Sequence, residues 1–364
     1  MNIAIIDADL IGRKRHRFPN LACMKISGYY KSKGKNVVLK SDYNELDRFD
    51  KVFISKVFTD TPIDSQILQE NNVIYGGTGF FYDKAKFLPY EIEHCMPDYH
   101  LYDEWVNNQL ISGRKRIEFK YYLDYSIGYT TRGCFRHCDF CVNKNYDKVE
   151  LHSQIEEFVD PNRKKICLLD DNVFGNANWR SIFESLKATE KPFQFKQGLD
   201  ERLLTKEKCK ILFDSKYDGD YIFAFDNISD YKLIEEKLKL IREYTNAVPK
   251  FYVLCGFNRQ NRWNEDFWTQ DIFDLMKRIR LLQNYHCIPY VMRFNRYIES
   301  PYQGVYKVVA AWCNQPSFFK KKSLIEFAET GKTESISRLR HINNFLKDHP
   351  EFETYINMKW ENKM

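Results

Sequence analysis

Six short apolar runs, each followed by a stretch of helical character, constrain this chain more than anything else in it. They read "YSIGYTT", "KKICLLD", "FQFKQGL", "YIFAFD", "KFYVLCGF" and "IPYVMRFN", all between residues 122 and 296. Apolar runs of this length, bounded by turn residues, are strands buried on both faces. The segments between them carry apolar residues three and four apart. "DYKLIEEKLKLIREY" sets Ile234, Leu238 and Ile241 on one face, and "DIFDLMKRIRLL" does the same with Ile272, Met276, Ile279 and Leu282. Strands that alternate with helices run parallel, joined by crossovers. Six units are too few to close an eight-stranded barrel. The expectation is an open, partial (β/α)6 barrel of TIM type over residues 122–299.

The first hundred residues alternate in the same way. "NIAIID" is a short apolar run, "LACMKISGYYKSKG" a helix stopped by Gly34, and "NVVLK", "KVFISKVF" and "VIYGGTG" are further strands, with a polar helix around "SQILQENN". This predicts a doubly wound parallel-sheet domain over 1–105 and a connector over 106–121. Past Asn295 the strand signals stop, and 300–364 reads as a small helical region containing "SLIEFAETG" and "RLRHINNFLKDH". The fold class is α/β.

At 43% apolar and 16% aromatic the chain can bury sizeable cores, and 29% charged residues exclude neither solubility nor order. No apolar run approaches the ~20 residues that span a bilayer, so no membrane association is expected. The opening "MNIAIIDADL" lacks a basic leader region and reads as a strand. The expected compartment is cytoplasmic, where thiols stay reduced. Net charge is only +6, yet basic residues gather in "GRKRHR" (Gly12 to Arg17), "GRKR" (Gly113 to Arg116) and "KKK" (Lys320 to Lys322). Solvated loops are the plain reading of these clusters. A phosphate-bearing substrate, a nucleotide or nucleic acid, is the sharper one.

Three of the ten cysteines crowd into "TTRGCFRHCDFCVNK", at Cys134, Cys138 and Cys141. The other seven are scattered in apolar surroundings and read as core residues. A disulfide would join only two of the three and is disfavoured by a reducing compartment. A closed zinc site needs a fourth ligand, for which His137 is the local candidate; this is the basis of a rival reading, a non-catalytic, zinc-stabilised nucleic-acid-binding protein. An electron-carrying iron–sulfur centre wants four thiolates. Three thiolates on a four-iron cluster leave one iron open to a small molecule. The cluster lies just after the first barrel strand, and the carboxyl ends of such strands are where sites are built.

Cys134, Cys138, Phe140 and Cys141 form a Cys-x-x-x-Cys-x-aromatic-Cys pattern, and with six strand-and-helix units behind it the region resembles the radical S-adenosylmethionine superfamily. The resemblance implies a 4Fe-4S cluster and S-adenosylmethionine as cofactors, oxygen sensitivity, and a flavodoxin- or ferredoxin-type electron donor. It implies reductive cleavage of S-adenosylmethionine to a 5′-deoxyadenosyl radical that takes hydrogen from a substrate. Phe140 is then expected to shield the cluster. Asp170, Asp171 and Asn172 stand where the family holds the methionine ammonium, although the family's paired glycines are absent. Asp226 stands at the ribose position, Gly256 and Met292 (with the backbone near Val291) at the adenine, and Gln197 and Arg293 at the same rim. A chain that keeps the cluster and only binds a partner is the degenerate form of this reading.

A doubly wound domain ahead of such a barrel resembles the cobalamin-binding arrangement. "DADLIG" (Asp7, Asp9, Gly12) loosely follows the family's Asp-x-His-x-x-Gly loop, with Asp9 in the place of the histidine, and a carboxylate is a poor substitute for imidazole on cobalt. The preferred expectation is a domain kept without cobalamin. A cobalamin-dependent radical methyltransferase is the alternative.

Overall fold

The computed structural model describes residues 1–14 and 16–361. Arg15, in the first basic cluster, and the last three residues of the expected C-terminal region lie outside the described residues. The chain divides into two compact units, Met1–Lys196 and Gln197–Met364.

The first unit begins with a parallel sheet of four strands, β1 (Asn2–Asp7), β2 (Asn36–Leu39), β3 (Lys51–Ser55) and β4 (Val73–Gly76), in the order β2-β1-β3-β4. Residues of β1 alternate between two cores. Ile3 and Ile5 pack with Met24 and Val37, whereas Ala4 and Ile6 pack with Val52 and Ile54. Both faces are covered, as a parallel sheet requires. The expected helix spans Leu21–Ser32, capped by the Asn20 side chain on the Cys23 amide at 3.3 Å, and gives way to Gly34 at φ +68°.

Two expectations for this unit need correction. "SQILQENN" forms only a 3-10 turn, Ile67–Gln69, because Ile67 and Leu68 are its sole apolar residues with a core to join. Residues 106–121 are no linker: Val106 and Phe119 are buried in the same core as Ile3 and Ile5, and Asp103–Ile111 is a helix.

The unit continues through β5 (Tyr125–Gly128), a two-stranded antiparallel ribbon of β6 (Thr131–Arg132) and β7 (Glu150–Leu151), then β8 (Lys165–Leu168) and β9 (Phe193–Phe195). Strands β5, β8 and β9 form a parallel sheet in that order. In the second unit β10 (Ile222–Ala224), β11 (Lys250–Cys255) and β12 (Ile288–Arg293) form another. Its helices Tyr231–Tyr244 and Glu265–Asn284 bury the predicted faces, with Ile234, Leu238, Ile272, Met276 and Leu282 at 1% exposure or less. Beyond residue 300 the described chain is helical, including Gln303–Cys313, Leu324–Ala328 and Glu334–Asp348.

All six expected strands therefore form, parallel and in sequence order, but as two sheets of three. The compact units meet in sequence at Lys196 and Gln197.

Candidate functional site

The cysteines lie on the excursion between β6 and β7. Pairing of Thr131 with Leu151 and of Arg132 with Glu150 closes its base, and the His152 amide donates to the Thr130 carbonyl at 2.9 Å. Gly133 turns the chain into Cys134 at φ +95°, where a Cβ would lie 2.5 Å from the Lys148 carbonyl oxygen; only glycine fits. Cys134, Cys138 and Cys141 are all half-buried, as is Phe140. The Cys141 amide donates to the Cys138 carbonyl at 2.9 Å, and the Asn143 amide donates to Cys141 Sγ at 3.4 Å.

The run after β8 grips this loop one residue at a time. Asp170, 1% exposed, accepts from the amides and hydroxyls of both Thr130 and Thr131, the Thr131 amide at 2.6 Å. Burial raises its pKa and these hydrogen bonds pull it back, leaving it above the ordinary value. Asp171 Oδ2 accepts from the Gly133 amide at 2.8 Å. Asn172 Nδ2 donates to Cys134 Sγ at 3.4 Å. Three consecutive side chains on one strand end thus hold Thr130 to Cys134 on its neighbour. Asp170 is placed as the loop's anchor, its oxygens engaged with the threonines, and not as an ammonium ligand. Burial pushes the Cys141 thiol pKa up, with Asp171 and Cys134 adding to the shift, so these groups are within electrostatic reach of one another.

Among the described residues no three His, Cys, Asp or Glu side chains converge as a single metal ion requires. His137, the candidate fourth zinc ligand, is instead exposed with Nε2 3.2 Å from Asp147 Oδ1. An iron–sulfur cluster makes a different demand, since each thiolate binds its own iron and the cysteines stand apart around the cluster. Three half-buried cysteines on one stapled loop, with N–H···S hydrogen bonds to two of them, fit that demand.

The remaining predicted positions lie in the second unit. Asp226 Oδ1 accepts from the Leu254 amide at 3.0 Å, and burial raises its pKa. Gly256 has φ +74°, and a Cβ on it would stand 3.2 Å from Tyr297 Cβ, so the close approach its glycine permits is to Tyr297. Its amide donates to Asp271, which also accepts from the Tyr306 hydroxyl at 2.7 Å. Asp271 and Tyr306 escaped sequence reading because they lie on helices, outside any strand-end motif. Met292 is half-buried, and exposed Arg293 stacks on Tyr297 with its guanidinium 4.6 Å from the ring centre. The Val291 backbone is not open to an adenine edge: the Asn314 side chain takes both its amide, at 2.7 Å, and its carbonyl, at 3.0 Å. Gln197 is exposed.

In the amino-terminal loop Asp9 is fully buried. Its carboxylate accepts from the Val57 and Phe58 amides, at 2.7 and 3.4 Å, and from the Thr61 hydroxyl. The residue standing in the histidine's place therefore ties the loop after β1 to the loop after β3, and does not fit as a cobalt ligand. Around it Phe58, Tyr75, Phe81 and Tyr82 are exposed, and Tyr75 stacks on Phe81 with ring centres 5.6 Å apart. Four arginines of the first two basic clusters pair with carboxylates: Arg116 grips Asp124 through two hydrogen bonds, Arg114 and Arg17 reach Glu118, and Arg13 reaches Asp60. Of the seven scattered cysteines, all but Cys95 are buried. No helix among the described residues is long and apolar enough to cross a membrane.

No family model matches the chain, and no curated protein matches it in sequence. Solved structures match it in fold. The radical S-adenosylmethionine methyltransferase TsrM from Kitasatospora setae, with cobalamin and a 4Fe-4S cluster bound, covers 80% of this chain and 74% of its own at 10% identity, with a TM-score of 0.52. TsrM with tryptophan substrate and the analogue aza-SAM bound covers 76% and 71% at 10% identity, with a TM-score of 0.48. The apo cobalamin-dependent S-adenosylmethionine radical enzyme OxsB covers 96% and 56% at 12% identity, with a TM-score of 0.37. The expectation of a domain kept without cobalamin gains no support, since the TsrM structure that shares the fold holds cobalamin. This chain thus shares its fold with the TsrM structure.

Proposed function

We propose that this protein is a radical S-adenosylmethionine enzyme in which Cys134, Cys138 and Cys141 each hold one iron of a 4Fe-4S cluster. The observation that carries the reading is the grip of Asp170 and Asp171 on the loop bearing the cysteine motif. Such a grip fixes the backbone that leads into Cys134 through Thr130, Thr131 and Gly133. The cluster and S-adenosylmethionine, when bound, supply reductive cleavage to methionine and a 5′-deoxyadenosyl radical that abstracts hydrogen from a substrate. The chain's own residues orient and shield. Half-buried Phe140 limits water beside Cys141. Asp226 keeps its proposed role at ribose hydroxyls, Met292 at the adenine, and Gln197 and Arg293 at charged or polar substrate groups; Gly256, packed against Tyr297, is assigned none. Electrons come from a flavodoxin- or ferredoxin-type donor, and a nucleotide or nucleic acid is the proposed substrate class. The test is anaerobic incubation with S-adenosylmethionine and dithionite: 5′-deoxyadenosine and methionine should form together, and their absence from iron-loaded protein would leave a chain that keeps the cluster without the chemistry.

A second reading, cobalamin-dependent methyl transfer, is supported by the exposed aromatic ledge at Phe58, Tyr75, Phe81 and Tyr82 beside the point where strand order reverses between β1 and β3. A corrinoid there would receive no ligand from Asp9. Hydroxocobalamin titration followed by its visible spectrum separates the readings: saturable binding at one equivalent supports the methyltransferase, and no binding removes it.

A further inference from the structure

Cys134 and Asn172 are 38 positions apart, yet the Asn172 side-chain amide donates to Cys134 Sγ at 3.4 Å. Asn172 is 2% exposed, so water does not compete for that N–H. Its position is over-determined. Asp170 and Asp171, immediately before it, are bonded to the threonines and Gly133, and the Gly175 amide closes a turn on the Asn172 carbonyl at 2.9 Å. A buried donor held at a fixed place against one particular sulfur does more than fill space. Reduction adds negative charge to an iron–sulfur cluster, and a hydrogen-bond donor to a ligand sulfur stabilises the more negative state, which raises the reduction potential.

We propose that Asn172 is a redox-tuning residue that hydrogen-bonds the Cys134 thiolate and raises the potential of the cluster it ligates. The inference rests on the iron–sulfur reading above and gives Asn172 a role different from ammonium binding. It acts through Cys134 and is a positioning and tuning residue, not a catalytic one.

The test compares anaerobically reconstituted wild type with Asn172→Leu, which removes the donor at similar size, and Asn172→Asp, which removes it and adds a charge. Iron per chain, circular dichroism and a redox titration followed by electron paramagnetic resonance are measured on each. The expected result is unchanged iron, a midpoint shifted to more negative values in Asn172→Leu, and a larger negative shift in Asn172→Asp. Unchanged or more positive midpoints in iron-loaded variants would overturn the proposal. So would loss of iron from well-folded variants, which would make Asn172 a holder of the loop instead. Wild-type protein that takes up no iron would sink the cluster reading itself, a result distinguishable from all of these.

Discussion

Two loops of the first unit follow the first strand of a parallel sheet, and both are pinned by a buried aspartate. After β5 the aspartate comes from the neighbouring strand end: Asp170 reaches across to Thr130 and Thr131. After β1 it comes from the loop itself: Asp9 reaches out to Val57, Phe58 and Thr61. The difference decides what each loop can do. A loop held from outside is anchored through Thr130, Thr131 and Gly133, and three cysteines follow that anchor. A segment that reaches out through its own Asp9 has that side chain engaged, and the position at which the family's pattern has a histidine is closed to cobalt. Similar restraint, placed on opposite partners, gives one loop chemistry and the other architecture.

The largest effect expected from this contrast concerns the cysteines. Cys134→Ala, Cys138→Ala and Cys141→Ala should each abolish 5′-deoxyadenosine formation while leaving the fold intact, because Asp170 and Asp171 hold the loop through Thr130, Thr131 and Gly133. Chromatographic assay of the nucleoside with circular dichroism checks this, and full activity in any variant breaks the assignment. Asp170→Ala comes next, since it leaves buried amide and hydroxyl donors without an acceptor. Urea unfolding should show a loss of ~4 kcal/mol, and a loss within experimental error would show that the loop is held by something else.

Asp9→His restores the imidazole of the cobalamin pattern. It should destabilise the protein by ~3 kcal/mol, through three lost hydrogen bonds and a larger ring at a fully buried position. It should not improve hydroxocobalamin binding. A stable variant with tighter binding would mean that the amino-terminal loop is a ligand loop after all. The last effect, seen only as a pH dependence, concerns Asp7, which caps the short helix Ala8–Gly12 and accepts from Tyr102 at 2.9 Å. Burial, reinforced by Asp9 and opposed by Tyr102, pushes its pKa from 3.8 up to about 7. The folded protein therefore binds this proton more tightly than the unfolded chain. Asp7's contribution to stability is full below its unfolded value and is lost as pH rises to about 7, with a slope of no more than about 1.4 kcal/mol per pH unit. Asp7→Asn should remove that slope, so unfolding curves across this range should converge at acid pH and favour the variant near neutrality.

Much of this was legible in the sequence because it rests on periodicity. The six strands, the faces of Ile234 and Ile272, and the stop at Gly34 follow from spacing alone. The cysteine loop was legible because its spacing is a local pattern. What escaped was long-range. Nothing local says that Asp170 would meet Thr130 and Thr131, although a polar pair before the motif and a carboxylate run after the next strand are the signal that could have suggested it. The helical reading of "SQILQENN" failed because only Ile67 and Leu68 had a core to join. The connector reading of 106–121 failed because a basic turn hid the burial of Val106 and Phe119 on either side of it.

The central claim is that three cysteines on an externally braced loop hold a four-iron cluster. Iron and acid-labile sulfide per chain, measured on anaerobically reconstituted wild type, test it most directly. About four of each per chain is the predicted result; fewer than about three irons, or iron without sulfide, would contradict it.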